Sequence, residues 1–117
     1  MKALFVLNEP PYGSERVYNA LRLAQAFVKK DASAQITIFL MADAVLAAKP
    51  QQQTPEGYYN VERMLGRVLN SDGAVLLCGT CMDARGINDS ELMEGARRRT
   101  MDELASATVG ADKVLVF

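Results

Sequence analysis

The stretch AVLLC, residues 74–78, runs straight into GTCMDARG, residues 79–86. Its reading decides the fold. A short run that is apolar at every position, closed by a glycine-bearing turn, is a strand buried on both sides rather than one with a wet face. Three more runs share the pattern: Lys2 to Asn8, Gln35 to Met41 (QITIFLM) and the closing Lys113 to Phe117 (KVLVF). Around Glu94 to Arg97 there is room for one further, short strand.

Helical periodicity fills the gaps. Val17, Leu21, Ala24 and Val28 recur at helical spacing, widened by Ala20, Leu23 and Phe27, with Ser14 standing where an N-cap belongs. Val17 occupies the position a capping-box Glu or Gln would take. Asp43 to Lys49 reads as a short helix, and Asn60 caps another whose apolar face is Val61, Met64, Leu65, Val68 and Leu69. Asn88 or Asp89 starts one helical turn, and Thr100 to Val109 is a helix with Met101, Leu104, Ala105 and Thr108 in line. Apolar strands alternating with helices call for a parallel sheet covered on both faces. No repeat, low-complexity segment or linker interrupts the pattern, so residues 1–117 form a single α/β domain.

Composition narrows the function. Thirteen Lys and Arg against fourteen Asp and Glu leave a net charge of −1, without the basic excess of a nucleic-acid binder. No apolar run approaches the roughly 20 residues of a membrane helix. The opening MKALFVLNEP is too short in its apolar part for a secretory signal, which predicts a cytoplasmic protein with reduced thiols. Histidine is absent, which removes every Ser-His, Cys-His and His-metal arrangement within one chain. Catalysis here rests on thiol, carboxylate, tyrosine, cation or backbone amide.

In open parallel sheets, ligands bind beyond the carboxyl ends of the strands, near a reversal in strand order. Three segments gather there: NEPPYGSE after the first strand, MADAV with Asp43 after the second, and CGTCMDARG after the third. Cys78 ends its strand with its thiol at the sheet edge, where a nearby cation or backbone amides lower a thiol pKa. Arg85 and the amides around Gly79 and Gly86 are the local candidates, with Asp83 opposing them. A buried cysteine that only fills space is the alternative. The Cys-x-x-Cys spacing admits a redox pair with Cys81. A thioredoxin-like motif, however, places the pair at the start of a helix after an early strand, whereas here it comes late and a glycine follows the first cysteine. Structural zinc wants four ligands and one chain offers two cysteines. Tyr12, Gly13 and Ser14 form a strand-to-helix turn whose free amides suit an anion, or simply a capped turn. Gly13 relaxes that turn. Arg97 to Arg99 reads as a solvated face, and Pro50 to Tyr59 as a polar loop able to fold over the strand ends.

PPYGSE, NALRLA, FLMADAV, PEGYYNVERML, LCGTCMDARGI and ADKVLVF, in that order, resemble the DsrE/DsrF-like family, and within it the small YchN-like branch. The resemblance covers nearly the whole chain and is most specific at the cysteine stretch. It implies a three-layer α/β/α sandwich around a five-stranded, mainly parallel sheet, assembled as homo-oligomeric trimers or hexamers. Sulfur-handling members use a cysteine at the end of the third strand with an Arg-Gly or similar pair eight positions on. That correspondence assigns the persulfide position to Cys78, with Gly86 at that distance and Arg85 before it. Cys81 is shared with the YchN-like branch but not with the general sulfur-carrier pattern.

Three functions follow as expectations. Cys78 thiolate accepts and passes on sulfane sulfur, with donor and acceptor proteins as partners and no metal or organic cofactor. The same edge is a non-catalytic small-molecule or anion-binding module. Or Cys78 and Cys81 form a reversible disulfide that alters assembly.

Overall fold

Four strands form where apolar runs can pair, β1 Lys2–Leu7, β2 Gln35–Leu40, β3 Ala74–Cys78 and β5 Lys113–Val116, and a polar one, β4 Ala96–Arg99, joins them at the edge. All neighbours are parallel, in the order β4-β3-β2-β1-β5. The structure, a computed structural model, describes residues 1–54 and 60–117.

The order follows from one rule of handedness. A right-handed crossover places its helix on a face set by the direction in which the chain steps across the sheet. From β1 to β4 every step goes the same way, so those connections share a face. They comprise α1 (Arg16–Lys30), a 3₁₀ segment (Ala42–Ala48), α2 (Val61–Asn70), α3 (Gly79–Ala84) and a 3₁₀ turn (Asp89–Glu91). Between β4 and β5 the chain travels back across the whole sheet, and α4 (Met101–Gly110) lies alone on the other face.

Burial mirrors this division. On the first face Phe5, Leu7, Ile38, Leu40 and Leu77 pack with Val17, Ala20 and Leu21 of α1 and Leu65 of α2, all fully buried. On the second, Leu4, Phe39 and Cys78 lie under Leu104, Ala107 and Ala111. Expected cover on both faces is therefore achieved unequally. Val114 and Val116, on the α4 side of β5, are 43% and 66% exposed, and α4 buries none of its residues completely.

Local differences from the expected elements have physical reasons. The cap of α1 is Glu15, with no side-chain bond, and Ser14 stands one residue outside it, its Oγ accepting from the Arg16 amide at 3.3 Å. The alanine-rich run after β2 winds as 3₁₀ from an N-cap, Met41, that makes no side-chain cap bond. β4 lies two residues later than expected, over three arginines, because pairing with β3 overrides their poor strand propensity. The packed line of α4 is Leu104, Ala107 and Ala111; Met101, Ala105 and Thr108 are exposed. Asn60 caps α2 as predicted, its side chain accepting from the Arg63 amide.

Candidate functional site

Residues 79–84 read as a loop in the sequence, yet they wind as α3, and Cys78 is the N-cap. Its Sγ accepts the backbone N–H of Cys81 at 3.3 Å and lies 3.2 Å from the Thr80 hydroxyl. The thiol thus takes the place a serine or aspartate oxygen normally holds at a helix start. Cys78 is only 6% exposed. Burial pushes the thiol up, but hydrogen bonds from the Cys81 thiol, the Thr80 hydroxyl and the two backbone amides outweigh it, so the thiol lies below the ordinary value. The Cys-x-x-Cys thus opens a helix as a thioredoxin-like pair does, although it lies late in the chain and a glycine follows its first cysteine.

Cys78 borders a cleft of ≈ 310 Å³ that is also lined by Gly79, Thr80, Arg98, Arg99 and Met101, among others. Parallel pairing of β3 with β4 sets Cys78 opposite Arg99. The Arg98 guanidinium lies close to Gly79, where a Cβ would sit 2.8 Å from Nε and 3.0 Å from Cζ. A side chain at position 79 would therefore displace the Arg98 guanidinium. Arg98 binds Asp83 at 2.6 Å and reaches Asp89 at 3.8 Å, while Arg99 binds Glu103 at 2.9 Å. Its hydrogen bond to Asp83 is the main reason Arg98 is held more firmly protonated, with the Cys78 charge a smaller contributor. Asp83 therefore orients the cation rather than merely opposing it.

Arg85 serves the other cysteine. Its Nε donates to Asp43 at 2.8 Å and its Nη1 to the Cys81 carbonyl at 3.0 Å. Cys81 is half-buried, and its thiol is raised by burial first and by the Cys78 sulfur next, against lowering by the Ala42 amide and by Arg85. Gly86 plays a backbone role. At φ 66 it occupies the left-handed position after α3, its N–H bonding to the Asp83 carbonyl while that of Ile87 bonds to Met82. That pair of bonds is a Schellman ending, with Met82 and Ile87 buried in one core.

Tyr12, Gly13 and Ser14 sit elsewhere. With Pro11, Glu15, Gln53 and Thr54 they line a separate cleft of ≈ 440 Å³. Tyr12 Oη accepts the Val61 amide at 3.2 Å, tying this turn to α2. Gly13 has no left-handed backbone; a Cβ there would meet Pro10 Cγ at 2.7 Å, so tight packing rather than turn strain demands glycine. The reversal in strand order falls between β1 and β5, beside this turn and two strands from Cys78. The three strand-end loops share an edge but not one cleft. Of the polar loop expected over residues 50–59, Tyr58 and Tyr59 lie outside the described residues.

The profile of the DsrE/DsrF-like family matches residues 1–117. The chain belongs to this family. It is 43% identical over 116 residues to Protein YchN of Escherichia coli K12, covering 99% of this chain and 98% of that one. An uncharacterized protein of Methanocaldococcus jannaschii is 34% identical over 117 residues, covering 100% of both. The crystal structure of E. coli YchN superposes with a TM-score of 0.94 at 43% identity, covering 100% of this chain and 99% of that chain.

Within this DsrE/DsrF-like chain, the residues that sequence reasoning missed are Arg98, Arg99, Thr80 and Ala42. Only the pairing of a poor strand with β3 brings the arginines to the thiol. Ala42 sits at φ 49, the left-handed region, and no residue pattern announces that. Among the described residues, no group of three or more Cys, Asp or Glu is placed to hold a metal, and no helix is long and apolar enough to cross a membrane.

Proposed function

We propose that this DsrE/DsrF-like chain is a sulfur carrier in which Cys78 thiolate takes up sulfane sulfur as a persulfide and hands it on. The observation that carries the reading is the hydrogen-bonded, acidified Cys78 sulfur facing a cleft with two arginines. A thiolate is the nucleophile in such exchange, and its fraction at neutral pH governs loading. Thr80 and the Cys81 amide stabilise the sulfur anion. Arg98 and Arg99, each held by a carboxylate, supply positive potential for an anionic donor without collapsing onto the thiolate. The family's association with sulfur relay supports the same assignment. Sulfur moves between thiols here with no resident metal or organic cofactor.

The reading extends to assembly as a homo-oligomer, a trimer or hexamer, in the cytoplasm. Its support is the thinly covered second face, where Val114 and Val116 stand in water and Val6, Met41 and Leu76 are only half-buried. The test is intact-mass spectrometry after incubation with inorganic polysulfide or thiosulfate. A one-sulfur adduct forms on the parent chain and is lost completely in Cys78→Ser. Absence of the adduct with every donor overturns the assignment.

The arginine-lined cleft favours a second reading, an anion-binding module without chemistry. It predicts that thermal stabilisation by a bound anion survives Cys78→Ser while no adduct ever forms.

A further inference from the structure

Cys81 is left over by a carrier that needs one thiol. Three observations place it against the sulfur it would have to attack. Its own N–H is hydrogen-bonded to Cys78 Sγ at 3.3 Å. Each sulfur shifts the other's ionisation, which requires the two to lie close together. Both pack in the same small apolar cluster beneath α4. Its first turn is also clamped from behind, since Arg85 bridges the Cys81 carbonyl and Asp43. Ala42 spends left-handed strain, about 1–2 kcal/mol for an L-residue, at φ 49, and its backbone amide favours the ionised Cys81 thiol. Strain of this kind persists where the surroundings enforce it and often marks a working site.

We propose that Cys81 discharges the persulfide carried by Cys78, releasing hydrosulfide and closing a Cys78–Cys81 disulfide. This rests on the carrier reading above. Cys81 Sγ attacks the inner sulfur, Cys78 Sγ. The new Cys81–Cys78 sulfur bond forms as the bond from Cys78 to the outer sulfur breaks. The outer sulfur leaves with the electron pair and takes the proton given up by the Cys81 thiol. That sulfane sulfur is reduced by two electrons, and the two cysteine sulfurs are each oxidised by one. A dithiol, small or protein-borne, resets the pair by exchange and departs as its own disulfide.

The order of events is built in. Before loading, burial and the neighbouring Cys78 sulfur hold Cys81 protonated, so the donor meets Cys78 as the nucleophile. Loading moves the charge outward by one bond, off the inner sulfur. The Ala42 amide and Arg85 then favour ionisation of Cys81 with less opposition. The chain thus delivers sulfur in reduced form when no acceptor takes the persulfide.

The test uses the whole reduced chain, loaded with inorganic polysulfide, desalted, and trapped at intervals with an alkylating agent. In the parent chain the one-sulfur adduct is transient. It gives way to a species lighter than the reduced chain by two hydrogens and closed to alkylation. In Cys81→Ser and Cys81→Ala the adduct persists about tenfold longer or more, because the intramolecular attack is gone, and no disulfide appears. An adduct equally long-lived in parent and variants, without disulfide, overturns the discharge and leaves the carrier standing. Failure of any chain to take up sulfur overturns the carrier and the discharge with it.

Discussion

Cys78 differs from an ordinary cysteine through four short-range groups, and each is separable by substitution. A thiol whose charged form accepts hydrogen bonds ionises at lower pH. Alkylation of Cys78, followed by mass, is therefore expected to persist at pH values where a free thiol is already protonated, while Cys81 reacts only at higher pH. Thr80→Val removes a hydroxyl but keeps the shape, so the Cys78 profile moves to higher pH and the amide bond from Cys81 remains. Gly79→Ala probes the cation. The added methyl strikes the Arg98 guanidinium, which must swing off the backbone and loosen from Asp83. Polysulfide uptake then slows, whereas circular dichroism stays that of the parent. At this scale the cysteines were legible in the sequence and the cations were not. Arg85 lies near in sequence yet serves Cys81, and Arg99 lies twenty-one residues past Cys78 but opposite it in the sheet, with Arg98 next to it.

Among the elements, α3 was the least legible. A six-residue helix that starts on a glycine has neither the propensity nor the length to declare itself by periodicity. It forms because Cys78 caps one end and Gly86 closes the other. Gly86→Ala places a Cβ in the left-handed region and is expected to cost about 1 kcal/mol of unfolding free energy, measured by chemical denaturation. Loss of the Schellman bonds would also blur the placement of Arg85 on Cys81, so the disulfide forms more slowly than in the parent. The long amphipathic helices α1 and α2 were read correctly from spacing because their buried faces supply most of their stability. α4 misled because so little of it is buried that its apolar pattern is not a burial pattern.

For the whole molecule, apolar runs sufficed to predict four strands of a parallel sheet, but the arginine-rich fifth strand and the strand order are not written in any local pattern. The return crossing by α4 sets it, and with it the contrast between a thick face and a thin one. If the thin face is a subunit contact, Val116→Asp shifts the sedimenting mass toward that of one chain and leaves the monomer's secondary structure intact, since Val116 is 66% exposed in the single chain. An unchanged mass would show that this part of the face is free. Phe39, fully buried under α4, belongs to the same layer; Phe39→Ala is expected to cost about 3–5 kcal/mol in a core position and to lower the melting temperature far more than Val116→Asp does.

β4 carries Arg98 and Arg99 as an outermost strand with only β3 for a neighbour and no fully buried residue of its own. Edges of this kind fray first, opening at a free energy well below that of global unfolding. Each fraying event would strip both guanidiniums from the sulfur and flood it with water in a single motion. Backbone amide exchange along residues 96–99 would accordingly keep time with the intermittent access of bulky reagents to Cys78.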